Sequence, residues 1–146
     1  MTEINVTRVN NPGVLPDEDK LGFGIYFTDH MFTMDYKTGK GWHSPQIVPY
    51  DEFSLYPSAM VLHYGQAIFE GMKAFCTVDN RIVVFRPKDY LNRFNRSADI
   101  LCIPRMDVDL LHESLNKLIE LDKHWVPGKE GTALYIRPFV IATDPF

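Results

Sequence analysis

The sequence predicts an α+β domain, a mostly antiparallel sheet packed against two main helices as a two-layer sandwich. Three observations predict it. Two β-hairpin patterns fill the first part of the chain, two amphipathic helical patterns follow in succession, and one strongly apolar strand closes the sequence. Strands grouped before helices, rather than alternating with them, argue against a parallel βαβ sheet. With 146 residues, 45% of them hydrophobic and 23% charged, the chain is sized and composed as one globular domain.

The elements are justified in order. Residues 1–20 carry Asn10-Asn-Pro-Gly13 and Leu15-Pro-Asp-Glu-Asp19 and read as an irregular lead-in, leaving 21–146 as the domain. Gly24–Tyr36 is rich in β-branched and aromatic residues; it meets Thr38-Gly-Lys-Gly41 and resumes at Trp42–Tyr50, a hairpin pattern. Asp51–Ser58 is a loop carrying Pro57, and Ala59–Phe69 is apolar but ambiguous between helix and strand. Met72–Val78 and Arg81–Phe85 flank Asp79-Asn80, a second hairpin. Pro87 suits the first turn of a helix, where a missing N–H costs nothing. Leu91, Phe94, Ala98 and Leu101 follow at helical spacing until Pro104. Asp107 is a fitting N-cap for a second helix with Leu111, Leu115, Leu118 and Ile119 on its apolar side, stopped by Pro127-Gly128. Thr132–Ala142 reads as one strand, with Tyr135, Arg137 and Phe139 on one face.

The formal net charge of −4 offers no basic surplus for nucleic-acid phosphates, so any anion must be held in a local pocket. The N-terminus lacks a basic start followed by an apolar run, and no apolar stretch approaches bilayer length, so a cytoplasmic protein away from membranes is expected. Cys76 and Cys102 form no CxxC and sit in apolar neighbourhoods, which predicts buried, reduced, structural thiols. The sequons at Asn5 and Asn95 carry no weight without a secretory signal. The histidines at 30, 43, 63, 112 and 124 make no close pair, so no metal site is expected.

Three segments could carry chemistry. Leu62–Phe75 packs Tyr64, Phe69, Gly65, Gly71 and the charged pair Glu70 and Lys73 into an apolar stretch; composition alone favours a turn between core strands. Phe85–Arg96 holds Arg86, Arg93 and Arg96, guanidinium forks that match a phosphate or carboxylate, or simply a solvated helix face. In Leu134-Tyr-Ile-Arg-Pro-Phe139, Tyr135 and Arg137 share a strand face, and so apolar a strand obliges Arg137 to find an anion or a carbonyl.

Taken together, these strings resemble one family. Phe23-Gly24, Phe27-Thr-Asp-His-Met31, Leu62-His-Tyr-Gly-Gln66 and Ile68-Phe-Glu-Gly-Met-Lys-Ala-Phe75 are similar to the branched-chain amino acid aminotransferases. So are Phe85-Arg-Pro87, Arg93, Arg96-Ser-Ala98, Leu101-Cys-Ile-Pro104, Asp122-Lys-His-Trp-Val-Pro127 and Leu134-Tyr-Ile-Arg-Pro138. These are fold-type IV pyridoxal 5'-phosphate enzymes, homodimers with two domains per subunit, and the chain resembles only the small N-terminal domain.

The resemblance implies a transaminase that moves the amino group of leucine, isoleucine or valine to 2-oxoglutarate. It implies Arg93 as the cofactor-phosphate arginine, with Arg86 and Arg96 structural. It implies Phe23, Tyr64, Phe69 and Tyr135 as the wall around the substrate side chain, and Arg137 with Tyr135 for the α-carboxylate. The lysine that forms the internal Schiff base lies in the family's second domain; Lys73 aligns with a different lysine. No catalytic residue is therefore expected in this chain, and the isolated stretch should retain the cofactor poorly and be inactive. The alternatives are a D-amino acid aminotransferase or aminodeoxychorismate lyase of the same fold, and a non-catalytic dimerisation module.

Overall fold

The computed structural model describes residues 3–145 and is α+β, with eight strands and three helices among them. The first hairpin joins β2 (His30–Lys37) to β3 (Gly41–Pro49). Its turn uses Gly39 and Gly41 at φ 84° and 76°, the left-handed region that glycine enters without strain. β2 starts at His30 rather than Gly24, because Gly22 and Gly24 also take positive φ (63° and 69°) and bend the chain ahead of it. β1 (Asn5–Val6) lies inside the stretch expected to be irregular; it pairs parallel with Gln46 and Ile47, and Ile4 beside it is buried.

The central feature is a pair of long strands broken at the same level. β4 (Ala67–Phe69) pairs antiparallel with β8 (Phe139–Ile141), and β5 (Met72–Cys76) pairs with β7 (Leu134–Ile136). Phe69 faces Phe139 and Met72 faces Ile136, so one register runs through both ladders. Glu70-Gly71 therefore stands opposite Arg137-Pro138, where the Glu70 N–H donates to the Pro138 carbonyl at 2.9 Å. The expected single strand over Thr132–Ala142 is thus two strands. Proline has no N–H to return that bond, which interrupts the ladder.

Side-chain alternation survives the break: Ile68, Glu70, Met72 and Ala74 are buried, whereas Phe69, Lys73 and Phe75 face outward. β6 (Ile82–Val84) completes the second hairpin against β5.

The inward face packs on two helices. α1 (Met60–Tyr64) is a short additional helix closed by Gly65 in the left-handed conformation. α2 (Pro87–Ile100) begins at Pro87 and buries Leu91, Phe94 and Ala98 as its spacing requires; Leu101 instead ends the helix partly exposed. α3 (Val108–Leu121) is capped by the Asp107 carboxylate, which accepts from the Asp109 and Leu110 N–H groups. It ends at Leu121, before Pro127, because residues Lys123–Trp125 tighten into a 3-10 turn.

Ile68 and Met72 meet Leu91, Phe94, Ala98, Ile103, Met106, Leu111 and Leu115 in one core. Phe94 is 2% exposed, and removing so buried a ring costs about 3–5 kcal/mol. Asn95, 1% exposed, both donates to and accepts from the Met106 backbone at 2.8 Å, so this sequon lies in the core and is closed to a glycan.

Two polar clamps tie the lead-in to the domain. The buried Asp122 accepts from the His30 backbone N–H (2.9 Å) and from its Nδ1 (2.6 Å), while His30 Nε2 accepts the Val9 N–H (3.0 Å). Asp29 accepts from Gly13 N–H, Trp125 Nε1 and His124 Nε2 at 2.7, 2.9 and 3.1 Å. The cysteines differ from expectation: Cys102 is exposed, at φ 54° just past the end of α2, and Cys76 is half-buried. Among the described residues no helix is long and apolar enough to cross a membrane.

Candidate active site

The break in the paired strands gathers several of the singled-out side chains. Phe69 ends β4, Tyr135 is central in β7, and Arg137 leads into Pro138; all three belong to the outward positions of the ladder. The Arg137 guanidinium lies over two rings, 5.1 Å from the centroid of Phe69 and 5.2 Å from that of Tyr135. Its Nη2 reaches the Tyr135 hydroxyl at 3.5 Å. Phe23, between the two positive-φ glycines, packs edge-on against Tyr135 at 5.0 Å. The face is also accessible: Phe23 is 70% and Phe69 64% exposed. Among the described residues no carboxylate lies within ion-pair distance of Arg137. A cation stacked on aromatic faces and lacking a carboxylate is a receptor for an anion.

Arg93 is tied to the same break from the other side. It projects from the middle of α2 and makes a side-on fork with Glu70, Nε to Oε1 and Nη2 to Oε2, both at 2.5 Å. The Glu70 carboxylate, 5% exposed, also accepts the Gly71 N–H at 2.8 Å. The Arg93 guanidinium holds the Glu70 carboxyl below its usual range in spite of burial, with the Gly71 N–H adding to the effect. Glu70 in turn holds Arg93 more firmly in its charged form, and the Arg93 side chain stays 56% exposed. Three guanidinium N–H groups remain for a ligand, because the fork uses two of five.

The pairing of Glu70 with Lys73 suggested by the sequence does not form. Three positions apart on a strand, they point to opposite faces, Glu70 inward and Lys73 outward.

Tyr64 is not part of the cluster. It is 78% exposed at the end of α1, with His63 as its ring neighbour at 6.4 Å. Arg86 pairs with Asp89 at the start of α2, and Arg96 lines an open surface depression with Asp89, Asn92 and Arg105. Gly71, singled out in the sequence, is bare where a side chain would strike Tyr135. One contributor escaped the sequence reading: Phe53 packs edge-on against Phe139 at 5.9 Å, and only the density of aromatics around it hinted at this.

The α+β domain thus presents an arginine stacked on two aromatic rings at the outward positions of the break, and a second, half-exposed arginine held to the same break from the helix side. The relatives share one name. Branched-chain-amino-acid aminotransferase 2 of Bacillus subtilis is 53% identical over 143 residues, covering 98% of this chain and 39% of its own length. Branched-chain-amino-acid transaminase 1 of the same organism is 55% identical over 130 residues, covering 89% of this chain and 36% of its own length.

Among solved structures, the Escherichia coli branched-chain amino acid aminotransferase superimposes with a TM-score of 0.55 at 27% identity, over 67% of this chain and 31% of that one. The T.th. branched-chain amino acid aminotransferase, complexed with N-(5'-phosphopyridoxyl)-L-glutamate, gives 0.53 at 29% identity, over 65% of this chain and 30% of that one. No family model matches the chain. Over nearly its whole length the chain is similar to branched-chain-amino-acid aminotransferases, and it spans under half the length of the curated relatives it matches.

Proposed function

We propose that this chain is the small N-terminal domain, residues 21–146 behind a lead-in of residues 1–20, of a branched-chain-amino-acid transaminase. In this reading the parent enzyme uses pyridoxal 5'-phosphate to move the amino group of leucine, isoleucine or valine to 2-oxoglutarate. The sheet and helices form a two-layer sandwich that presents half of the pocket.

The observation that carries the reading is Arg137, stacked between Phe69 and Tyr135 with no carboxylate at ion-pair distance among the described residues. An amino acid with an apolar side chain meets that arrangement at both ends. Its α-carboxylate goes to Arg137 with the Tyr135 hydroxyl as intermediary, and its side chain goes to the rings of Phe23, Phe69 and Tyr135. Tyr64, exposed at the end of α1 and apart from these rings, carries no role in this reading. A phosphate group suits Arg93, whose half-exposed guanidinium keeps three N–H groups beyond its fork to Glu70. The cofactor, when bound, supplies the electron sink that amino-group transfer needs. The residues of this chain bind and orient; none is assigned to proton transfer.

The remainder of the relatives' length is taken to carry the cofactor-bonding lysine, so residues 1–146 alone are expected to retain little cofactor and transaminate nothing. Two further parts of the reading are a homodimer and a cytoplasmic location, which sedimentation and cell fractionation test. Its central test uses the full-length protein that carries this sequence. It should absorb near the visible edge with the cofactor and transaminate leucine in preference to D-alanine, and Arg93→Ala should sharply weaken cofactor retention. Preference for D-alanine would replace the reading with a D-amino acid aminotransferase; absence of any transamination would leave a binding module.

A further inference from the structure

We propose that Glu70 is a positioning residue for anion binding: it fixes the side-on edge of the Arg93 guanidinium so that the end-on edge, Nη1 with the second N–H of Nη2, is the only face presented to a phosphate. The inference rests on the assignment of Arg93 to the cofactor phosphate and adds a residue for which that assignment had no role.

Three features of the geometry carry it. The fork is bidentate, Nε to Oε1 and Nη2 to Oε2, which removes rotation about the last bonds of a long side chain. The anchor is rigid: Glu70 lies in a ladder whose backbone N–H is bonded to Pro138, its carboxylate is 5% exposed, and its Oε2 also accepts from Gly71. The exposure is one-sided, since the Arg93 side chain is 56% open while its partner is closed. The face of Tyr90, 5.3 Å from the guanidinium carbon, limits the remaining tilt.

A free arginine at this place would sample many rotamers and lose that freedom on binding. One already clamped by a buried carboxylate has lost it on folding. The carboxylate partly offsets the positive charge. The arrangement therefore favours a doubly charged, multidentate oxyanion over a singly charged one, which gains too little from the three remaining N–H groups.

The test compares pyridoxal 5'-phosphate with pyridoxal, which lacks the phosphate, by equilibrium binding to the full-length protein. The ratio of the two affinities isolates the phosphate contribution. Glu70→Gln should lower this ratio about tenfold, the scale of one charge-assisted hydrogen bond, with pyridoxal affinity little changed. The double variant Glu70→Gln with Arg93→Ala should lose no more than Arg93→Ala alone.

A Glu70→Gln effect that persists in the Arg93→Ala background, or an unchanged ratio in Glu70→Gln, overturns the positioning role while leaving Arg93 on the phosphate. An unchanged ratio in Arg93→Ala removes the underlying assignment and this proposal with it. Should the variants not fold, the unmodified protein labelled with 15N-arginine decides. On adding pyridoxal 5'-phosphate, the Arg93 Nη1 signals should shift with the Nε signal fixed; a moving Nε signal means that the fork opens and overturns the proposal.

Discussion

The ring and hydroxyl of Tyr135 lie directly against the backbone of Gly71, in the space a β-carbon would fill. Glycine is required there by its neighbour rather than by its own backbone, which has no positive φ. Gly71→Ala should push Tyr135 off its position over Arg137 at a stability cost of about 1–3 kcal/mol, the range for overpacking. In the full-length enzyme KM for leucine should rise more than kcat falls. An unchanged KM would show that the position of Tyr135 over Gly71 is unrelated to substrate.

Arg137→Ala removes the stacked cation while leaving both rings. Because the side chain is exposed and forms no ion pair among the described residues, the thermal midpoint should move little. KM for leucine and for 2-oxoglutarate should both rise, since each presents a carboxylate to the same group. A rise for one substrate alone would place Arg137 elsewhere in the pocket.

Asp122 satisfies two donors of His30 in a site that water does not reach. The Val9 N–H donates to Nε2, so the ring proton sits on Nδ1 and points at the carboxylate. Asp122→Ala leaves both donors unpaired and should cost about 3 kcal/mol in urea unfolding. Asp122→Asn, which still offers one acceptor, should cost less.

Asp29 makes the fold sensitive to acid. Burial raises its carboxyl pKa, but hydrogen bonds from Trp125, Gly13 and His124, with the charge of His124, more than reverse this and hold it below its ordinary 3.8. A depressed folded value means the stabilisation is complete above pH 3.8 and fades as the pH falls through the folded pKa. Asp29→Asn should lose about 2 kcal/mol at neutral pH, and its urea midpoint should fall less steeply than the parent's below pH 3.8. Faster hydrogen exchange at the Gly13 amide would locate the loss.

Local chemistry was legible in the sequence. Pro87 and Asp107 start the two main helices, and Asp79-Asn80 turns the second hairpin, because each acts within a few residues of itself. Phe69, Tyr135 and Arg137 stood out as aromatics and a cation in apolar runs, and the fold brings them together with Phe23. What could not be read was non-local. Glu70 finds Arg93 rather than Lys73 because the partner sits on a helix packed from the far side. Pro138 is visible in the sequence as a strand breaker, but its place opposite Glu70 depends on the register with a distant strand; Cys102 is exposed because the chain turns at the end of α2 while its neighbours Ile103 and Ala98 remain inside.

The shared register of the two broken ladders restricts how such a site can vary. One residue added or lost within Glu70-Gly71, or within Arg137-Pro138, would put β4 and β8 out of step with β5 and β7. A slip of one residue reverses every side chain on the affected strand, carrying Phe69 or Tyr135 into the core and its buried neighbours to the outward face. Diversification at this place is therefore confined to exchanging side chains at fixed length. The outward face can change residue by residue, whereas insertions and deletions belong to the loops at either end of the strands.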